Sequence, residues 1–220
     1  MQINYKDLTI ILVAYNSSFE IEKILKLLSP EIKIIIIENS NLQKTKNYFE
    51  SKYKNISVIL SEKNTGQTGG INIGFKNVKS KYCLYMDMDV NFNTNLIEKF
   101  YKIAEEINDF ALLVPEHNKS KYPKSFEYDD KDDHPKLKRM KIVHGYFMFF
   151  KMSAVKEVGF YDENIFFYFD ETDYCMRILK KNYKIFIVKG AMVEHKEGRS
   201  YEKDLQKKIN PLRHWHYMWG

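Results

Sequence analysis

Several early segments of the chain are dominated by aliphatic and β-branched residues, and each stops at a polar cluster. Residues 8–14 (Leu-Thr-Ile-Ile-Leu-Val-Ala) end at Tyr15-Asn16-Ser17-Ser18, and residues 32–37 end at Glu38-Asn39-Ser40. Runs that are apolar on both faces predict parallel strands covered from both sides. Between them Ile21, Ile24, Leu25 and Leu28 keep a helical period, with Ser17 or Ser18 as the N-cap. A polar amphipathic helix over 42–53 then leads into a strand over 56–60. The order is βαβαβ, which implies right-handed crossovers and a parallel sheet. Its polar strand ends, Tyr15-Asn16 and Glu38-Asn39, then lie side by side at the C-terminal edge, although Asn16 and Asn39 taken alone are ordinary turn formers.

Residues 64–74 (Asn-Thr-Gly-Gln-Thr-Gly-Gly-Ile-Asn-Ile-Gly) hold four of the nine glycines. This predicts a glycine-rich loop followed by a short helix to Val78, with backbone amides free to face phosphate or sugar oxygens. The spacing fits neither G-x-G-x-x-G nor a P-loop. Next, residues 82–90 (Tyr-Cys-Leu-Tyr-Met-Asp-Met-Asp-Val) read as a buried strand whose end carries Asp87 and Asp89 on one face. Open α/β sheets bind ligands at that rim. Two converging carboxylates repel, and are most easily tolerated around a divalent cation or a ribose with its phosphates. An isolated Asp-x-Asp is otherwise a cap or a turn start.

Downstream, Asp170, Glu171 and Asp173 open a helix carrying Cys175, Met176, Ile178 and Leu179. Acids at a helix start suit the macrodipole. These three also follow Phe166-Phe167-Tyr168-Phe169, aromatic bulk that excludes water and raises a carboxyl toward a usable base. His195 follows a strand over 184–188 and a short apolar segment over 191–193. Residues 115–141 are polar, and their acidic cluster over 128–134 reads as a solvated loop.

Length and charge narrow the class. With 220 residues, 44% of them hydrophobic, one sizeable core is expected. The net charge of +6 is dispersed, so nucleic acid is not indicated, while an anionic ligand or membrane surface suits it. Cys83 and Cys175 are far apart and outside any Cys-x-x-Cys pair, as reduced thiols in a cytoplasmic protein would be, and no zinc site is implied. No apolar run reaches the ~18 residues that span a bilayer, and no leader pattern opens the chain. The run Arg213-His214-Trp215-His216-Tyr217-Met218-Trp219 suggests either a surface helix with peripheral contact at the inner face of the membrane or simply a chain boundary.

Together these blocks resemble the large inverting glycosyltransferase family 2 with the GT-A fold, in particular its rhamnosyltransferase-like bacterial members. The likeness is carried by TIILVAYN at 9–16, IIIIENS at 34–40, NTGQTGGINIG at 64–74 and YMDMDV at 85–90. It continues through HGYFM at 144–148, VGFYDE at 158–163, FYFDETDYCMR at 167–177, VEH at 193–195 and GRS at 198–200. The resemblance implies an α/β, Rossmann-like nucleotide-diphospho-sugar transferase with a central, mostly parallel sheet flanked by helices. One catalytic domain would cover 1–205, with a nucleotide-binding half over 1–90, an acceptor-side half over 91–205 and an aromatic, basic stub over 206–220.

The resemblance also implies roles. Ala14, Tyr15, Asn16, Glu38, Asn39, Asn64, Gly66, Gly69, Gly70, Asn72 and Asp87 would contact the donor nucleotide, and Asp89 with His195 would hold Mg²⁺ or Mn²⁺. Such hard cations prefer oxygen-rich coordination. Glu171 falls at the base position, with Asp170 as the alternative because the family's usual Glu-Asp order is reversed. Asp173 would orient Arg177, and Arg199 would reach phosphate oxygens. Glu38 stands where the family usually has Asp, and Ala14 where Thr is common. The implied activity is metal-dependent, inverting transfer of a hexosyl or deoxyhexosyl unit from a UDP-, dTDP- or GDP-linked donor to a glycan or lipid-linked saccharide. The alternatives are a nucleotidyltransferase and a catalytically inactive sugar-nucleotide-binding domain of the same fold.

Overall fold

A computed structural model describes residues 4–117, 122–128, 134–165 and 168–195. The first strands follow the apolar runs: β1 is Leu8–Ala14, β2 Lys33–Glu38 and β3 Ile56–Leu60. Helices α1 (Ser18–Leu25) and α2 (Gln43–Lys52) connect them. Ser17, one of the two serines expected, is the N-cap of α1, with its hydroxyl donating to the Tyr15 carbonyl at 2.8 Å in place of a side-chain cap bond. Next come α3 (Gly66–Asn77), β4 (Tyr82–Met86), β5 (Val90–Phe92), α4 (Asn95–Glu106) and β6 (Phe110–His117). The chain continues through β7 (Leu137–Met140), β8 (Phe147–Lys151), α5 (Met152–Val158), α6 (Asp170–Lys180) and β9 (Lys184–His195).

One sheet in the order β3-β2-β1-β4-β8-β6-β9-β5, with β7 also paired to β9, joins these strands. The first half, β3-β2-β1-β4, is parallel. Antiparallel pairing enters with β8, β5 and β7, while β6 and β9 run parallel to each other. Alternation along β1 sends Leu8, Ile10 and Leu12 into the core beneath α1, α2 and α4, and Ile11 into the core beneath α3, α5 and α6. Each fully buried aliphatic or aromatic side chain contributes about 1.5–3 kcal/mol. The sheet thus has an apolar layer on both faces, as its unbroken runs require. No helix among the described residues is long and apolar enough to cross a membrane.

Three segments depart from their sequence reading. The glycine-rich stretch is not a loop: α3 runs through it from Gly66 to Asn77. A Cβ on Gly70 would lie 2.6 Å from Val13 Cγ1, and one on Gly74 2.6 Å from Ile11 Cδ1. These glycines let the helix backbone rest directly on β1. Within the stretch taken as polar loop, residues 137–140 form a strand, because Leu137 and Met140 bury their side chains against β9. The two short segments before His195 are one strand, bent at Gly190 (φ 69°), where its register against β6 shifts. Glu116 accepts from the Gly190 amide at 2.8 Å, and Lys99 donates to the Lys189 carbonyl at 2.8 Å, which holds the bend. Beyond it, β9 pairs with β5, setting His195 opposite Val90.

The tight α3–β1 packing gives a signed prediction. Gly70→Ala gains about 1 kcal/mol of helix propensity, but its methyl meets the stiff, β-branched Val13 and overpacks by about 1–3 kcal/mol. Urea denaturation should show net destabilisation, and adding Val13→Ala should recover part of it.

Candidate active site

The C-terminal ends of β1, β2 and β4 meet at one rim. Ala14 pairs with Glu38, and the Asn39 amide donates to the Ala14 carbonyl at 2.8 Å. Glu38 is fully buried. Its Oε1 accepts from the Ser40 amide at 2.8 Å and from the Ser40 hydroxyl, while Oε2 has no partner. Asn16 takes a left-handed backbone (φ 53°) and donates its amide to the Ser40 hydroxyl at 2.9 Å. Tyr15 and Asn16 flank this rim.

Asn39 and Asn64 anchor the start of α3. The Asn39 side chain donates to the Gly66 carbonyl at 2.9 Å and accepts from the Thr65 hydroxyl at 2.9 Å, and Asn64 accepts from the Gly66 amide at 3.0 Å. Asn72 is turned away from the rim's backbone: it exchanges two hydrogen bonds of 2.9 Å with the Tyr161 main chain and donates to Glu163 at 3.0 Å. A Cβ on Gly69 would lie 2.6 Å from Thr65 Cβ. Gly70 thus lets α3 rest on β1, Gly69 lies close to Thr65, and Asn72 ties α3 to the loop before α6.

The paired acids sit just past β4. The strand ends at Met86, and one further bond, from the Asp87 amide to the Tyr146 carbonyl at 2.8 Å, carries the pairing to the first carboxylate. Because β5 begins at Val90 and pairs with the end of β9, His195 Nε2 lies 3.1 Å from Asp89 Oδ1 and 3.6 Å from Asp87 Oδ2. One ligand atom from each of the three residues falls within 4.8 Å of the others. The His195 ring stacks on Tyr146 at 5.0 Å and 16°. Burial pushes the Asp87 carboxyl up to about 7; a 2.6 Å bond from the Tyr85 hydroxyl opposes the shift and the charge of Asp89 adds to it. Two desolvated carboxylates beside an imidazole are a donor set that suits a hard divalent cation, whose charge would relieve their repulsion.

The start of α6 lies within electrostatic reach of this group. Tyr168 and Phe169 are both left-handed (φ 65° and 61°), turning the chain so that Asp170 and Glu171 head the helix. Asp170 is buried, and its Oδ2 has no partner. Burial, with the charge of Asp170, pushes Glu171 up to about 8, and burial raises Asp170 as well. Asp87 acts electrostatically on Glu171, and Asp170 on Asp87, so these carboxyls share one environment. The Glu171 side chain passes close to Gly145, where a Cβ would stand 3.5 Å from Glu171 Cβ and 3.9 Å from Gln67 Nε2.

Asp173 points elsewhere. It pairs with Arg177 through bonds of 2.9 and 2.8 Å, and Arg177 donates onward to the Phe160 carbonyl at 2.8 Å, bracing the loop before α6. Arg199, Lys196, Ser200, the acidic run 129–133 and the stub 206–220 lie outside the described residues. The sequence reading missed Tyr85 and Tyr146 as partners of the acid group. Tyr85 stands two residues before Asp87, hence on its face of the strand, and that spacing was the available signal.

A glycosyl transferase family 2 model matches residues 9–159. A low-salt glycan biosynthesis hexosyltransferase of the archaeon Haloferax volcanii is 24% identical over 198 residues, covering 81% of this chain and 64% of the relative. The chain thus spans about two thirds of that relative's length, and the relative is a hexosyltransferase rather than a rhamnosyltransferase. Among solved structures, GalNAc-T7 with UDP, GalNAc and Mn²⁺ superposes with TM-score 0.70 at 14% identity, covering 88% of this chain and 44% of that one. A mannosyltransferase from Pyrobaculum calidifontis with GDP-Man and Mn²⁺ gives TM-score 0.70 at 10% identity, covering 96% and 64%. At these identities the superpositions establish the shared α/β GT-A-like fold. With the family model covering β1 to the end of α5, the chain belongs to glycosyl transferase family 2.

Proposed function

We propose that this chain is the catalytic domain of a metal-dependent, inverting glycosyltransferase, moving a hexosyl or deoxyhexosyl unit from a nucleoside diphosphate sugar to a hydroxyl of a glycan or lipid-linked saccharide. The observation that carries the reading is the convergence of Asp87, Asp89 and His195 within electrostatic reach of buried Asp170 and half-buried Glu171. The relatives named above with UDP and GalNAc or with GDP-Man, each with Mn²⁺, make a nucleotide-sugar donor the natural class.

In this reading Asp89 and His195 hold Mg²⁺ or Mn²⁺, and Asp87 holds the cation or the donor ribose beside it. When bound, the cation neutralises charge on the departing diphosphate. Tyr15, Asn16 and Glu38 line the nucleotide end, where Glu38 Oε2 offers a free acceptor to a base or ribose donor. Asn39 and Asn64 act indirectly, by fixing the start of α3. Glu171 takes the proton of the acceptor hydroxyl while that oxygen bonds to the anomeric carbon and the anomeric bond to phosphate breaks on the opposite face, inverting the centre. A carboxyl raised by burial is well matched to that proton near neutral pH. Asp170, beside it, keeps the base's pKa high.

Three outcomes follow. Glu171→Gln should lower kcat for transfer by about 10²–10⁴-fold with donor affinity kept, whereas Asp170→Asn should do less; the reverse order in steady-state kinetics would make Asp170 the base. Asp89→Ala should abolish calorimetrically detected Mn²⁺ binding and metal-dependent donor hydrolysis, and unchanged hydrolysis would remove the role given to Asp89. The third concerns stability without a cation. Asp87 has a folded pKa of about 7 against an ordinary 3.8, so the folded state holds a proton the unfolded chain has lost. The Asp87 contribution to stability therefore falls as pH rises between roughly 4 and 7, and Glu171, raised to about 8, continues the fall beyond it. Asp87→Asn should flatten this slope in Tm measured with EDTA, and saturating Mn²⁺ should oppose it in the wild type.

A further inference from the structure

Tyr85 is buried at the end of β4, and its hydroxyl is the side chain's one polar atom. It donates to Asp87 Oδ1 at 2.6 Å, while the other oxygen of that carboxylate, Oδ2, is the one that faces His195 at 3.6 Å. The two oxygens of Asp87 are thereby given separate tasks. A carboxylate in this position could otherwise swing about its terminal torsion, which is broad and easily rotated, and either present both oxygens to a cation or turn toward the orphaned Oδ2 of Asp170. The family resemblance assigns nothing to Tyr85, and no step of the transfer uses it.

We propose that Tyr85 is a positioning residue that holds Asp87 to single-oxygen ligation of the cation, and so favours Mn²⁺ or Mg²⁺ over Ca²⁺. The inference rests on the cation reading given above. The chemistry is general: small octahedral cations take carboxylates one oxygen at a time at short range, whereas Ca²⁺ accepts both oxygens in looser, higher coordination. A hydroxyl bonded to Oδ1 removes the second oxygen from the ligand set. It also satisfies that oxygen's hydrogen bond at a half-buried position. Such outer partners of metal ligands typically change affinity by about 10- to 100-fold when removed. Tyr85→Phe is the informative change, because it keeps the ring and deletes the donor.

The test is Mn²⁺ and Ca²⁺ binding without donor, by calorimetry, for wild type, Y85F, D87N, Y85F/D87N and D89A. Y85F should weaken Mn²⁺ by about tenfold and narrow the Mn²⁺-to-Ca²⁺ preference, while Y85F/D87N should match D87N alone, since Tyr85 acts only through Asp87. Equal Mn²⁺ affinity in Y85F and wild type, equal weakening of both cations, or a Y85F effect that persists beside D87N would each overturn the proposal. D89A binding Mn²⁺ like the wild type would instead overturn the underlying cation reading. A second measurement needs no change at Tyr85: in the infrared difference spectrum on adding Mn²⁺, bands lost in D87N should show the wide carboxylate splitting of single-oxygen ligation. Narrow splitting of the two-oxygen kind would also overturn the proposal.

Discussion

Mutual repulsion among desolvated carboxylates is the constraint around which this molecule is built. Asp87, Asp89, Asp170 and Glu171 lie in one environment with little water to screen them, and burial raises the protonation of Asp87, Asp170 and Glu171. Left to itself such a group would open toward solvent. The surrounding structure prevents this: the last turn of pairing onto Tyr146 pins Asp87, the β5–β9 ladder brings His195 to Asp89, and tandem left-handed residues fix the acids at the head of α6. Under the proposed function a compact cation and an anionic donor would complete the balance of charge, which would couple ligand binding to folding stability at this rim.

The same economy of space governs α3. A helix with glycine at Gly66, Gly69, Gly70 and Gly74 has poor intrinsic propensity. It forms because Gly70 and Gly74 let its backbone settle on Val13 and Ile11, closer than any side chain permits, and because Asn39, Asn64 and Asn72 tie both its start and its middle to other segments. Close approach brings the rim of β1 and the loop preceding α6 into one rigid unit. Thr68 extends it by donating to the Ile165 carbonyl at 2.7 Å. These bonds and close contacts make α3 part of the frame that holds the rim.

β9 connects the two halves. Its first portion pairs with β6 and β7 as an ordinary inner strand, and the bend at Gly190 redirects its last residues onto β5. Gly190 is the residue suited to that bend, since a positive φ strains any side chain and a Cβ there would stand 3.2 Å from the Lys99 amine. The histidine of the acid group is in this sense delivered by a bulge some distance from it.

Local pattern determined much of this protein. The mostly aliphatic runs of β1 and β2 announced parallel strands covered on both faces, because burial on both sides leaves little polar alternation, and β1 and β3 have the bounds their composition suggests. The Asp87/Asp89 spacing and the acids opening α6 were visible for the same reason, each being set by residues within one element. What tertiary structure alone decided depends on contacts remote in sequence. Glycine can mark a loop or a helix pressed on a strand, and only the proximity of Val13 and Ile11 tells them apart. Residues 137–140 become a strand because β9 is there to pair with. His195 meets Asp89 across 106 positions of chain through a register shift, and no local periodicity encodes a register between strands so distant.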